Sequence, residues 1–164
     1  MQTHDPTPML SILLLSLITV IGCKDSSRPK DLPTLYRTKI TILQDGKGLE
    51  GAAVNLIPEI QSKWSVGGLT DANGICSLRT HGQFDGAPEG KYQVLVKKVV
   101  TELPEVTPNT PKTIDGHPIL LGTDYALVAP EFSDAKRSTF SIEVSNKEKN
   151  EETFDVGSAV KIKK

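Results

Sequence analysis

Lys91-Tyr92-Gln93-Val94-Leu95-Val96-Lys97-Lys98-Val99 is the stretch on which the fold turns. Tyr92, Val94 and Val96 fall on one side of an extended chain and Gln93, Leu95 and Lys97 on the other, the period of two that a strand with one buried face requires. The chain on its N-terminal side repeats the pattern. Tyr36, Thr38, Ile40 and Ile42 alternate with Arg37, Lys39 and Thr41, and Val54 and Leu56 flank Asn55 in a strand over 52–58. A strand over 64–70 is weakened by Gly67 and Gly68, which predicts a bulge or the close approach of another backbone. Another runs over 75–80. Asp45-Gly46-Lys47-Gly48 and Asp71-Ala72-Asn73-Gly74 supply turns, through glycine's tolerance of positive φ and side chains that bond their own backbone. A loop rich in Gly and Pro, 81–90, leads into the central stretch.

On the C-terminal side the alternation stops at Val99. Pro104, Pro108, Pro111 and Pro118 stand too close together within 101–124 for a helix or a central strand. Loops longer than about 12–15 residues in compact domains are usually functional or disordered, so 101–124 is the expected binding surface. Residues 124–129 read as a short helical turn before Pro130. A strand over 139–145 follows, with Phe140, Ile142 and Val144 inward, then a charged turn over 146–152 and a strand over 153–157. In 158–164, Val160 and Ile162 alternate with lysines as in an edge strand, where charge discourages pairing with other chains. The whole predicts an all-β protein, an antiparallel β-sandwich of about seven strands with no long helix.

The N-terminal segment carries a different message. Met9 to Gly22 is apolar apart from Ser11, Ser16 and Thr19, is shorter than the roughly 20 residues a membrane-spanning helix needs, and ends on a small residue before Cys23. That is the build of a signal peptide, although residues 1–8 lack the usual Lys or Arg. Val20-Ile21-Gly22-Cys23 resembles the lipobox of bacterial lipoproteins. The resemblance implies cleavage between Gly22 and Cys23 and a diacylglyceryl group on the Cys23 thiol. Residues 24–34 are polar, contain Pro29 and Pro33, and read as a tether with an end-to-end distance of roughly 20 Å. The expected organisation is a signal peptide over 1–22, a lipidated cysteine and tether over 23–34, and a sandwich domain over 35–164. Lys24 rather than Asp after the cysteine favours, by the same resemblance, export to an outer membrane where one exists.

Gly46-Lys47-Gly48-Leu49-Glu50-Gly51-Ala52-Ala53-Val54, followed by Thr70-Asp71-Ala72-Asn73-Gly74, resembles the carboxypeptidase regulatory-like domain, whose pattern is "G-x-P-L-x-G-A-x-V" and then "T-D-x-x-G". Gly48 stands where that family usually has proline. Pro88-Glu89-Gly90-Lys91-Tyr92 extends the likeness as its "P-x-G-x-Y" step. The resemblance implies a transthyretin-like (prealbumin-like), Ig-like sandwich serving as a non-catalytic module in lipoproteins or adhesins, or beside carboxypeptidase or transporter domains. Hydroxyisourate hydrolases share the prealbumin fold, but their C-terminal Tyr-Arg-Gly-Ser has no counterpart here.

The chain holds 19 basic and 20 acidic side chains, so no global charge recruits nucleic acid. Of its two cysteines, Cys76 alternates with Leu78 as a small buried hydrophobe does. With Cys23 lipidated, Cys76 has no disulfide partner within the chain. Cys76, His81 and Asp85 come nearest to a zinc-ligand set, yet His81 and His117 sit beside glycines and read more simply as solvated loop residues. Asp71 and Asn73 alternate as calcium ligands do, without the closing glutamate of an EF-hand loop. No catalytic residue, metal or cofactor is expected. The expected role is a non-catalytic lipoprotein of the cell envelope, held to the membrane by its lipid and serving structure or binding an envelope protein or glycan. One alternative is a secreted adhesin or carbohydrate-binding module using Trp64 and 101–124. Another is an envelope hydrolase using Cys76 and His81.

Overall fold

Alternation of buried and exposed side chains dominates the computed structural model, which describes residues 28–146 and 149–164. Contacts divide the chain into two units, residues 1–32 and Pro33–Lys164. Of the first, only 28–32 are described, a turn in which the Leu32 N–H donates to the Pro29 carbonyl at 3.1 Å. The leader, the Gly22–Cys23 junction and the start of the tether, up to residue 27, lie outside the described residues.

The second unit begins with β1 (Leu35–Tyr36) and β2 (Thr38–Gln44). Thr38, Ile40 and Ile42 of β2 point into the core as their spacing requires. Asp45 and Gly46 form a two-residue hairpin turn with φ of 51° and 72°, and β3 (Lys47–Gly48) pairs back on β2. Positive φ at both central residues matches the twist of the strands they join. Next come β4 (Ala53–Pro58), β5 (Val66–Leu69), β6 (Ile75–Ser77), β7 (Arg79–Thr80), β8 (Phe84–Asp85), β9 (Ala87–Pro88) and β10 (Gly90–Lys97). β11 (Val99–Glu102), β12 (Thr123–Ala126), a 3-10 turn at Pro130–Ser133, β13 (Ser141–Val144), β14 (Asn150–Asp155) and β15 (Ile162–Lys163) complete it. Several of these strands are two-residue pairings, which is why they outnumber the seven expected.

Two sheets make an all-β sandwich. One has the order β13-β10-β4-β5-β7-β8 and is antiparallel; the other is β14-β2-β3, with β6 also paired to β2. Val54 and Leu56 of β4 and Tyr92, Val94 and Val96 of β10 share a core with Ile40 and Ile42 of β2, joined by Leu78, Val144 and Val156. The expected strand over 75–80 is divided between the sheets: β6 pairs β2, while β7 pairs β5. At the crossing, the Leu78 N–H donates to the Thr38 carbonyl at 3.0 Å, and the Leu78 carbonyl accepts from the Gly86 N–H at 2.9 Å. That strand laces one side of the sandwich shut.

Three local expectations are corrected. Residues 124–126 belong to β12, not to a helical turn, because β12 is paired on both sides, to β11 and to β15, and a chain in two ladders stays extended. The 3-10 turn starts only at Pro130, whose fixed φ suits a first helical position. The charged turn ends before Asn150, since Glu151 and Glu152 lie in β14. The buried Asn150 amide closes that turn, accepting from the Ser145 N–H at 2.9 Å and donating to the Ser145 carbonyl at 3.0 Å. β14 then pairs with β2 in parallel, Asn150 opposite Thr38 through Asp155 opposite Leu43, within an otherwise antiparallel architecture. More than 100 residues separate these strands, ample for the crossover that a parallel pair needs.

The glycines and the turn over 71–74 behave as their chemistry demands. An added Cβ on Gly68 would lie 2.7 Å from the Cys76 sulfur, and one on Gly67 2.8 Å from the Val54 carbonyl oxygen, so close approach accounts for this pair. The Asp71 carboxylate accepts from the N–H groups of Asn73 and Ile75 at 2.9 and 2.8 Å. Buried Thr70 joins the two turn motifs: its hydroxyl donates to the Leu49 carbonyl at 2.5 Å and accepts from the Ala52 N–H at 2.8 Å. Tyr92 donates its hydroxyl to the Pro88 carbonyl at 2.8 Å, fixing the corner that leads into β10.

Candidate binding surfaces

β10 carries a surface feature at each end. At its C-terminal end the chain runs directly into β11, which pairs with β12 from Val99 opposite Ala126 to Glu102 opposite Thr123. The Thr101 hydroxyl donates to the Asp124 carboxylate at 2.6 Å across this stem. Beyond the stem the proline-rich segment is not featureless. The Ile119 N–H donates to the Pro111 carbonyl at 2.7 Å, the Thr113 N–H to the His117 carbonyl at 2.8 Å, and the Gly116 N–H to the Thr113 carbonyl at 3.0 Å. The excursion is therefore a hairpin arm with a smaller hairpin at its tip. Leu103, Val106, Ile114, Ile119 and Leu121 stand on it with exposures between 43 and 105%, facing solvent. Contiguous exposed aliphatics mark interaction sites, and five exposed on one excursion make it the candidate for such a surface.

The base of the arm is fastened. Lys161, just before β15, places its ammonium 2.6 and 2.8 Å from the two Glu102 carboxylate oxygens and 4.5 Å from the centre of the Tyr125 ring. The hydrogen bond to Glu102 raises the Lys161 pKa. Lys98 donates its ammonium to the Glu50 carbonyl at 2.6 Å, and the Leu127 N–H donates to the Lys98 carbonyl at 2.9 Å. These contacts hold the stem to the sandwich.

At the N-terminal end of β10, a groove of about 480 Å³ is lined by Pro33, Pro58, Ile60, Trp64, Pro88 and Tyr92, among others. Trp64 meets His81 edge-on with ring centres 5.1 Å apart, and the Lys63 ammonium lies 4.9 Å from the indole centre. Tyr92 pairs with Pro58 and Lys97 with Ala53, so Trp64 and the arm sit at opposite ends of an eight-residue strand, roughly 26 Å long at about 3.3 Å per residue. The structure does not bring them onto one surface.

Nor does it give Cys76, His81 and Asp85 a common role. Cys76 is fully buried against Gly68, His81 packs on Trp64, and the Asp85 carboxylate holds Arg79 at 2.9 Å. Among the described residues no group of three His, Cys, Asp or Glu side chains is placed to hold a metal. A second cavity of about 430 Å³, with Arg37, Lys39, Arg79 and Asp85 in its wall, has no signature in the sequence because four separate strands and loops contribute to it. Arg79 is paired with Asp85 there, and Lys39 approaches Glu151 at 3.9 Å.

Burial, and secondarily the Asp71 carboxylate, push the Cys76 thiol from 9.0 up to about 11. A thiolate-dependent reaction near neutral pH is thereby opposed. The same shift ties stability to pH. The folded state holds the thiol proton more tightly than the unfolded chain does, so this contribution is complete below pH 9 and is lost as pH rises toward 11. The loss amounts to about 2–3 kcal/mol over that window. Urea denaturation at pH 8, 9.5 and 11 should show the decline, and Cys76→Ala should flatten it. In native protein at pH 8, a thiol reagent should leave Cys76 untouched until denaturant is added.

No family model matches this chain, and no curated protein matches it. Among solved structures, a 9R-lipoxygenase from Cyanothece aligns with 74% of this chain at 15% identity and a TM-score of 0.33. The aligned chain spans 16% of that enzyme's length.

Proposed function

We propose that the protein is a non-catalytic lipoprotein of the bacterial cell envelope, a carboxypeptidase regulatory-like sandwich anchored through Cys23 that grips a protein partner with its β11–β12 arm. The arm carries the reading. Its five exposed aliphatic side chains stand on a hairpin ordered by its own hydrogen bonds and pinned at its base, so a partner meets a surface with little ordering entropy left to lose. Residues 103–122 contain no Phe, Tyr or Trp, which favours an apolar protein surface over a glycan, for which flat aromatic faces are the usual platform. The buried, protonated Cys76 argues against the hydrolase alternative. The Thr70 hydroxyl, bridging the turns before Ala52 and before Gly74, gives the family's two motifs a shared structural purpose.

A photo-crosslinking residue placed at Leu121 in the native envelope tests this, with Leu69, also exposed but on β5 of the sandwich, as the control. A discrete protein adduct is expected from position 121 and not from 69. Ile114→Asp with Ile119→Asp should remove it, since losing central apolar anchors costs about 2 kcal/mol or more, some 30-fold in affinity. Equal adducts from both positions, or an adduct indifferent to the double substitution, would contradict the assignment.

A further inference from the structure

We infer that the Trp64 end of the sandwich rests on the lipid bilayer surface, with Ile60 entering the acyl region and the arm directed away from the membrane. The inference rests on the Cys23 anchor proposed above. The chain enters the sandwich at Pro33, and Pro33 lines the same groove as Ile60 and Trp64. Only ten positions separate Pro33 from Cys23, a reach of at most about 35 Å fully extended and roughly 20 Å relaxed. Relaxed, that tether is shorter than the roughly 26 Å of β10, so an anchor on Cys23 favours this end over the arm end.

The side chains displayed there suit that contact. Ile60 is 86% exposed in the loop between β4 and β5, and the half-buried Trp64 lies beside it with the Lys63 ammonium over its ring. An exposed aliphatic side chain and an indole lining one groove, with a lysine beside the indole, form a set of side chains found where proteins meet headgroups. Glu59 and Glu89 line the groove along with Lys91, so the local charge is mixed. The contact is apolar and aromatic, and it should depend little on anionic lipid.

Trp64 is the sole tryptophan of the chain and reports on its own position. The full-length lipidated protein is reconstituted on phosphatidylcholine vesicles with brominated or unbrominated acyl chains, floated on a density gradient, and its tryptophan emission measured with and without iodide. The expected result is flotation, loss of Trp64 emission in brominated lipid and protection from iodide. Ile60→Asp should still float but regain emission and iodide access. Protein that floats with Trp64 as open to iodide as in solution overturns the orientation and leaves the anchor standing. Protein that does not float overturns the anchor, and the orientation with it.

Discussion

Gly74→Ala should lower the unfolding free energy by about 3 kcal/mol, a large share of the 5–15 kcal/mol typical of a domain this size. Two costs combine. Gly74 has φ of 78°, where an L-residue pays about 1–2 kcal/mol for its Cβ. Space is the second cost, because an added Cβ would fall inside contact distance of the Ile42 carbonyl oxygen and lie 2.8 Å from the Gly48 Cα and the Leu49 nitrogen. Those atoms cannot yield separately. The Ile42 carbonyl accepts from the Leu49 N–H at 2.9 Å, and the Ile42 N–H donates to the Gly74 carbonyl at 2.8 Å. Gly48 faces the same crossing from the other side, where its own Cβ would meet the Asn73 carbonyl. Gly46 isolates the first cost, having φ of 72° and nothing within 4 Å of an added Cβ. Gly46→Ala should therefore cost only about 1–2 kcal/mol. Urea midpoints at unchanged slope measure both variants. If Gly74→Ala is no worse than Gly46→Ala, the two turn motifs do not press together as described.

The elements legible in the sequence are those whose information is local. β2, β4 and β10 announce themselves because successive side chains take opposite faces, and Ile40, Ile42, Val54, Leu56, Val94 and Val96 all reach the core. The Asp45-Gly46 hairpin and the Asp71 turn need only their own residues. What escaped the reading depends on distant partners. Nothing within Ile75–Thr80 says that its first half pairs with β2 and its second with β5. The tetrapeptide Thr123–Ala126 has no marked period, and ladders on both sides hold it extended. The candidate site divides the same way. Closely spaced prolines exposed 101–124 as an excursion, but its order comes from backbone hydrogen bonds that no side-chain pattern encodes. That Trp64 lies at the other end of β10 follows from strand register, which a single strand does not carry.

Cys23→Ser should have the largest functional effect, because everything proposed for the arm and for the Trp64 end presumes a chain held at the membrane. Each buried methylene of an acyl chain contributes about 0.8 kcal/mol, and two chains convert marginal binding into stable anchoring. Among the described residues no helix is long and apolar enough to cross a membrane. Abolishing the thiol should leave the protein without acyl mass and with its leader uncleaved, whereas a change within the sandwich such as Cys76→Ala should leave both untouched.

Intact mass and detergent-phase partition of the expressed protein, wild type beside Cys23→Ser, test this most directly. The account predicts that the wild type loses residues 1–22, gains the mass of its acyl groups and enters the detergent phase, while Cys23→Ser keeps the leader and carries no acyl mass. Retention of the leader in both, or acyl mass on neither or on both, would contradict it.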